Sequence, residues 1–238
     1  MTTTNGTARA TDQRDTADQR DATAATAVTA VTAATVATDP AGPGEDLLRV
    51  AVVLGSTRVG RFGPVVADWL LRRAAEHGGL ETDLVDLVAT PLPSAFPAFG
   101  APLPADVQAQ FAAVSPRLER ADAFVIVTPE YNHSFPAPLK NAIDFHTHQW
   151  HAKPVGFVSY GGRSGGLRAV EQLRPVLAEL HAVTVRETVS FHDYGDKFDA
   201  DGQVLDPAAD GAAKSMLDQL AWWAHALRDA KRLRPYAA

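Results

Sequence analysis

Three apolar runs, RVAVVL (49–54), AFVIVT (123–128) and VGFVSY (155–160), carry almost no polar alternation. A strand with one wet face alternates apolar and polar residues. A strand apolar throughout is buried on both faces, as in a parallel sheet covered by helices. Two weaker strand candidates are TDLVDL (82–87) and AVTVRETVSF (182–191).

Between the strands lie helical stripes. Val66, Leu70 and Ala74 recur at i, i+4, and Leu139, Ala142 and Ile143 repeat the pattern. Leu167, Val170, Leu173, Leu177 and Leu180 form a third stripe, in which Pro175 predicts a kink near Arg174. Leu217, Leu220, Ala221, Ala224 and Leu227 form the last. Strand and helix alternate, which points to an open doubly wound α/β sandwich of about five parallel strands. The helix between the second and third strands is the least marked. A proline-rich stretch, ATPLPSAFPAFGAPLP (89–104), precedes it, and loops of that length in a compact domain are functional or disordered.

Residues 1–45 differ from the rest. They are mostly Thr, Ala, Asp, Arg and Gln, with no aromatic residue and no Leu or Ile. Such a segment buries too little apolar surface to offset its ordering entropy, so a disordered tail is expected there. DPAGPGED (39–46) reads as a linker into a folded domain over 46–238. The tail lacks a basic cluster and an A-x-A site beside its mildly apolar stretch, so export is not expected and a cytoplasmic location is.

Charge and composition narrow the function classes. The net charge is −6 and neither the tail nor the body is basic, so no nucleic-acid or anionic-membrane partner is expected. No apolar run approaches the roughly 20 residues that span a bilayer. Without cysteine, disulfides, thiolate metal sites and a cysteine nucleophile are excluded.

In open parallel sheets, ligands bind beyond the carboxyl ends of the strands, at the switch point of strand order. Three unusual loops fall there: GSTRVGR after the first strand, PEYNHSFPAPLKNAIDF after the third, and YGGRSGG after the fourth. Gly55 and Gly60 have Walker A spacing, but Arg61 replaces the lysine and Phe62 the hydroxyl. Ser56-Thr57 cannot supply the second glycine of a dinucleotide fingerprint. What remains is a strand-to-helix turn whose hydroxyls, N–H groups and arginines suit a terminal phosphate monoester; an ordinary turn with solvated arginines is the bland alternative.

In the second loop, prolines 129, 136 and 138 stiffen a turn in which Asn132 and Ser134 bond the backbone. Such a turn can read the edge of a planar heterocycle; a well-capped helix start is its bland alternative. Glycines in the third loop permit positive φ and close approach to a ligand, or simply a flexible turn. His146, His148 and His151 in HTHQWH are read as solvated or interfacial rather than as a metal site, since i, i+2 positions on a helix point apart. DKFDADGQVLD (196–206) lacks both end ligands of a calcium loop and is read as a solvated loop.

Taken together, GSTRVGR, PEYNHSFPAPLKNAIDF and SYGGRSGG resemble the NADPH-dependent FMN reductase family of flavodoxin-like flavoproteins, over Leu48 to Leu233. The resemblance implies a flavodoxin-like three-layer sandwich with strand order 2-1-3-4-5. It implies that Ser56, Arg58 and Arg61 hold the FMN phosphate, with Thr57 and Phe62 nearby. Pro129, Glu130, Tyr131 and Asn132 would hold the isoalloxazine and ribityl side, and Ser159, Tyr160, Gly161 and Gly162 would close the other side of the ring. The implied activity passes electrons from NADPH or NADH through FMN to a small acceptor (a quinone, azo compound, flavin, metal oxyanion or oxygen), with no side-chain acid required. A homodimer or homotetramer with the helix from Pro136 in its interface is also implied. A flavodoxin-type electron carrier, reduced by a partner protein, is the second reading. A receiver domain is discarded, since GSTR and PEYN lack its acidic pair and its aspartate.

Overall fold

The structure is a computed structural model that describes residues 47–98 and 101–237. The expected disordered tail and linker lie outside the described residues. Strands β1 (Leu48–Leu54), β2 (Leu80–Asp86), β3 (Ala123–Pro129), β4 (Pro154–Gly161) and β5 (Val183–His192) form one sheet, every neighbouring pair parallel. The order is β2-β1-β3-β4-β5, as the resemblance implies. Helices α1 (Gly63–His77), α2 (Ala105–Arg120), α3 (Ala137–Phe145), α4 (Leu167–Glu179) and α5 (Ala208–Leu233) connect and cover it.

The unbroken apolar runs are explained by a strand's period of two. Leu48, Val50, Val52 and Leu54 of β1 face α1 and α5, together with Val125, Val127 and Val158. Ala51 and Val53 face the opposite layer of α2, α3 and α4, together with Phe124, Ile126 and Phe157. Both faces are dry over the central strands β1, β3 and β4, so their buried positions are almost all apolar on either face, whereas the edge strands β2 and β5 keep polar, half-exposed positions. Burying one apolar side chain contributes about 1.5–3 kcal/mol.

The weakly marked helix exists. It is α2, and it carries Pro116 inside it. Its carboxyl end is capped from outside by Lys153, which is 6% exposed. The Lys153 Nζ donates to the carbonyls of Leu118 and Glu119 at 2.9 and 2.8 Å. A cation at a helix C-terminus complements the dipole and satisfies orphan carbonyls. Burial nonetheless pushes the Lys153 amine down to about 8.

Helix α4 continues across Pro175 to Glu179. Just before the proline, Arg174 reaches β5 and donates to the Thr184 hydroxyl and the Val185 carbonyl. Leu167, the first residue of the expected stripe, is 46% exposed.

The histidine cluster differs from expectation. His146 is buried and stacked on Phe111, with ring centroids 4.9 Å apart. Its Nδ1 donates to the Ala142 carbonyl at 2.8 Å, one turn back along α3. Burial lowers its pKa and keeps it neutral. The solvated loop expected at 196–206 is partly core: Phe198 is buried and forms a bridge with Val204.

Candidate functional site

The three loops singled out in the sequence leave β1, β3 and β4 at their carboxyl ends, on one edge of the sheet. The first spans 55–62. Gly55 N–H still pairs with the Val127 carbonyl, which fixes where the loop departs. Arg61 N–H then closes on the Arg58 carbonyl at 3.1 Å, with Gly60 at φ 69°. Among the described residues, no backbone N–H from 57 to 60 pairs with a carbonyl. Helix α1 follows at once, with no side-chain cap and no acidic residue in its first turn. Arg58 is exposed, and Val59 at the tip is 99% exposed. Free N–H groups, an uncapped helix start and an exposed cation form a donor set that suits a phosphate monoester.

Arg61 does something other than face outward. Its Nη1 donates to Asp86 Oδ1 and to the Ser56 carbonyl, both at 2.6 Å, and its Nη2 donates to Asp86 Oδ2 at 2.5 Å. This bidentate bond holds the Asp86 carboxyl below its ordinary value and raises the Arg61 guanidinium. Phe62 turns under the loop, with its ring 4.8 Å from Tyr194 and 5.2 Å from Phe198. Thr57 lines a cavity of about 250 Å³ with Val88, Thr90, Pro138 and Asn141.

The second loop is a tight turn. Tyr131 and Ser134 exchange backbone hydrogen bonds at 2.8 and 3.1 Å, which places Asn132 and His133 at φ 49° and 74°. Both residues are exposed at the turn's tip. Helix α4 braces it: Gln172 donates to the His133 carbonyl and accepts from the Ser134 hydroxyl. Pro129 ends β3 and is buried. Glu130 reaches α4, accepting from the Arg168 N–H and its guanidinium. That carboxylate caps a helix start. Tyr131 points to the first loop, with its hydroxyl 3.0 Å from Ser56 Oγ.

The third loop uses the freedom of glycine at its far end: positive φ falls at Gly165 and Gly166, not at Gly161 and Gly162. A Cβ on Gly166 would lie 2.6 Å from the Ser159 side chain, and one on Gly165 would lie 2.4 Å from the Ser190 hydroxyl. At Gly161 the nearest atom is the Gly166 nitrogen, at 3.1 Å. Ser159 is fully buried and donates to the Gly165 carbonyl at 2.8 Å. Its hydroxyl therefore shapes the loop from beneath.

Tyr160 is 3% exposed and its hydroxyl has no hydrogen-bond partner. A Cβ on Gly63, the first residue of α1, would lie 2.9 Å from it. Ser56 is close enough to influence it, yet no hydrogen bond of normal geometry joins the two. Burial pushes its pKa well up. An orphan phenol against an uncapped helix start is a polar group held for something.

The structure thus gathers Ser56, Arg58, Arg61, Tyr131 and Tyr160 around the start of α1. It turns Glu130, Ser159 and Phe62 inward, onto protein. Sequence reasoning missed Asp86, whose signal was an acid at the carboxyl end of a strand on the same edge. It also missed Asn141, which donates to the Leu92 and Pro93 carbonyls and ties the proline-rich loop to α3.

Residues 48–196 match the family model described as NADPH-dependent FMN reductase. An NAD(P)H-dependent FMN reductase of Schizosaccharomyces pombe is 36% identical over 122 residues, 50% of this chain and 60% of that protein. An NADPH:quinone oxidoreductase of Arabidopsis thaliana is 32% identical, covering 72% of this chain and 89% of its own. Among solved structures, the flavoenzyme NAD(P)H:(acceptor) oxidoreductase FerB of Paracoccus denitrificans superposes with a TM-score of 0.61. It is 27% identical and covers 76% of this chain and 98% of its own.

Proposed function

Because the chain belongs to the NADPH-dependent FMN reductase family, we propose that it is an FMN-dependent NAD(P)H oxidoreductase whose acceptor is a small quinone. The observation that carries this reading is the meeting of Ser56 and Tyr131, 3.0 Å apart. It joins a phosphate-type loop to a rigid turn suited to a planar ring. Quinone is preferred as acceptor because the Arabidopsis relative bears that name.

FMN, when bound, supplies the redox chemistry, taking electrons from NAD(P)H and giving them to the acceptor. The chain's own residues bind and orient it. The 57–60 N–H groups, the Ser56 hydroxyl and Arg58 would hold the phosphate. The turn from Pro129 to Asn132 would meet the ring edge through its backbone, kept stiff by Gln172 and Glu130. Gly161 and Gly162 would let the backbone approach the ring from the other side. No side-chain acid or base is assigned.

Assembly as a homodimer through α3 is part of the proposal. Exposed Phe96 stacks on Phe145 of α3 at 4.3 Å, leaving apolar surface there. A cytoplasmic location, where reduced nicotinamide nucleotide is available, completes it. No helix among the described residues is long and apolar enough to cross a membrane.

The test is a visible spectrum of the purified protein before and after anaerobic NADPH. A flavin spectrum bleached by NADPH alone supports the reading. A flavin that only a partner protein can reduce would make the chain an electron carrier, and failure to bind FMN overturns both.

A further inference from the structure

We propose that Arg61 and Asp86 form a fixed clamp that sets the shape of the 56–62 loop, with Arg61 positioning the loop rather than contacting the phosphate. The inference rests on the FMN reading of the site.

Apart from the Ser56–Tyr131 contact and the packing of Phe62 at its two ends, the loop has little else to hold it. Its tip residue Val59 packs on nothing, and α1 begins without a side-chain cap. Within it, the Arg61 N–H bond to Arg58 closes only one turn. The Arg61 side chain supplies the rest, since Nη1 binds the Ser56 carbonyl and Asp86 together. Asp86 is itself held in place. Its Oδ1 accepts from Val88 N–H at 3.1 Å, and Leu87 N–H pairs with the Leu54 carbonyl of β1. The loop after β1 is therefore anchored to the end of β2.

Electrostatics point the same way. Unpaired, the Asp86 carboxylate would repel a phosphate dianion at the start of α1. Arg61 cancels it through two short charge-assisted bonds in the fork geometry of an arginine–carboxylate pair. Three of the five N–H donors of Arg61 are thereby engaged, and its guanidinium is fixed on Asp86 and the Ser56 carbonyl. Arg58, exposed on the same loop, carries no such ties.

The test is a double-mutant cycle on the flavin-stripped full-length chain, with FMN and riboflavin binding followed by flavin fluorescence. Riboflavin lacks the phosphate. Arg61→Gln and Asp86→Asn should each weaken FMN binding by about tenfold, and the double variant should be no weaker than the weaker single, because the pair acts as one unit. Riboflavin binding should change by less than about twofold.

Tighter FMN binding by Asp86→Asn would mean that Arg61, once freed, reaches the phosphate, and the proposal fails. Multiplying losses in the double variant overturn it too. Equal losses of FMN and riboflavin reduce the pair to general support of the fold and also overturn it. Should Arg61→Gln not fold, Arg61→Lys serves: it keeps the charge but cannot bridge Ser56 and Asp86, so full FMN affinity there contradicts the clamp. A wild-type chain that binds neither flavin overturns the FMN reading instead, a distinct result.

Discussion

Ser56 Oγ and the Tyr131 hydroxyl lie 3.0 Å apart although 75 residues separate them in the chain. The contact crosses from the loop after β1 to the turn after β3, over the point where strand order reverses. It makes one site of two loops that the sequence presents separately.

Removing this contact tests the joining. Tyr131→Phe keeps the ring and deletes one hydroxyl, and a single hydrogen bond is worth about 0.5–1.5 kcal/mol. FMN affinity, measured by fluorescence quenching, should fall by roughly two- to tenfold. Unchanged affinity would show that Ser56 is oriented without Tyr131.

Arg58 is expected to carry the charge complement of the phosphate. Arg58→Ala should weaken FMN by at least about tenfold while leaving riboflavin within about twofold, since charged hydrogen bonds contribute about 1.5–3 kcal/mol. Turnover of the flavin-loaded fraction should change little. A variant with full FMN affinity would remove Arg58 from the site.

Gly166 is expected to tolerate no side chain. It sits at φ 85°, and an added Cβ would lie 2.6 Å from the Ser159 side chain and 3.0 Å from the Tyr160 backbone nitrogen. Gly166→Ala should cost at least about 2 kcal/mol, from left-handed strain and overpacking together. Gly162→Ala, at a position with open space and no positive φ, is the control. Equal melting temperatures for the two variants would refute the assignment.

Lys153 gives a pH dependence. Its amine is lowered from 10.5 to about 8 by burial. The folded chain therefore disfavours the charged form, and that cost is fully present below pH 8. As pH rises from about 8 toward 10.5, the unfolded chain holds a proton that the folded chain has released, so stability gains with pH. The stability difference between wild type and Lys153→Met should shift in favour of wild type by on the order of 3 kcal/mol across this window. Denaturant unfolding at several pH values measures it, and a constant difference would contradict the burial of a charged amine.

The fold was largely legible because its three central strands, β1, β3 and β4, are dry on both faces. Val52 and Val53 face opposite helix layers yet are equally buried, so the pattern announced a parallel sheet before any pairing was known. The site was legible in its loops and less so in its directions. Ser159 and Glu130 lie on loops of the candidate site, but their side chains serve Gly165 and Arg168. Whether a polar side chain faces a ligand or the protein depends on what lies beneath it, which adjacent sequence does not encode. Asp86 escaped notice for a related reason. In the sequence it ends a modest strand, and only the sheet places it beside Arg61. His146 was misplaced because its partner Phe111 comes from α2, 35 residues earlier.

The pairing of β1 with β3 begins at Val50 with Ala123. All of β2 and α2 lies between them in the chain. Closing so large a loop costs more chain entropy than pairing strands nearer in sequence, so those pairings have the advantage. Ser56 and Tyr131 meet only after that step, and so does any pocket they share. Bound flavin in a preparation therefore counts the molecules whose sheet has closed, and its colour is an assay of folding as much as of chemistry.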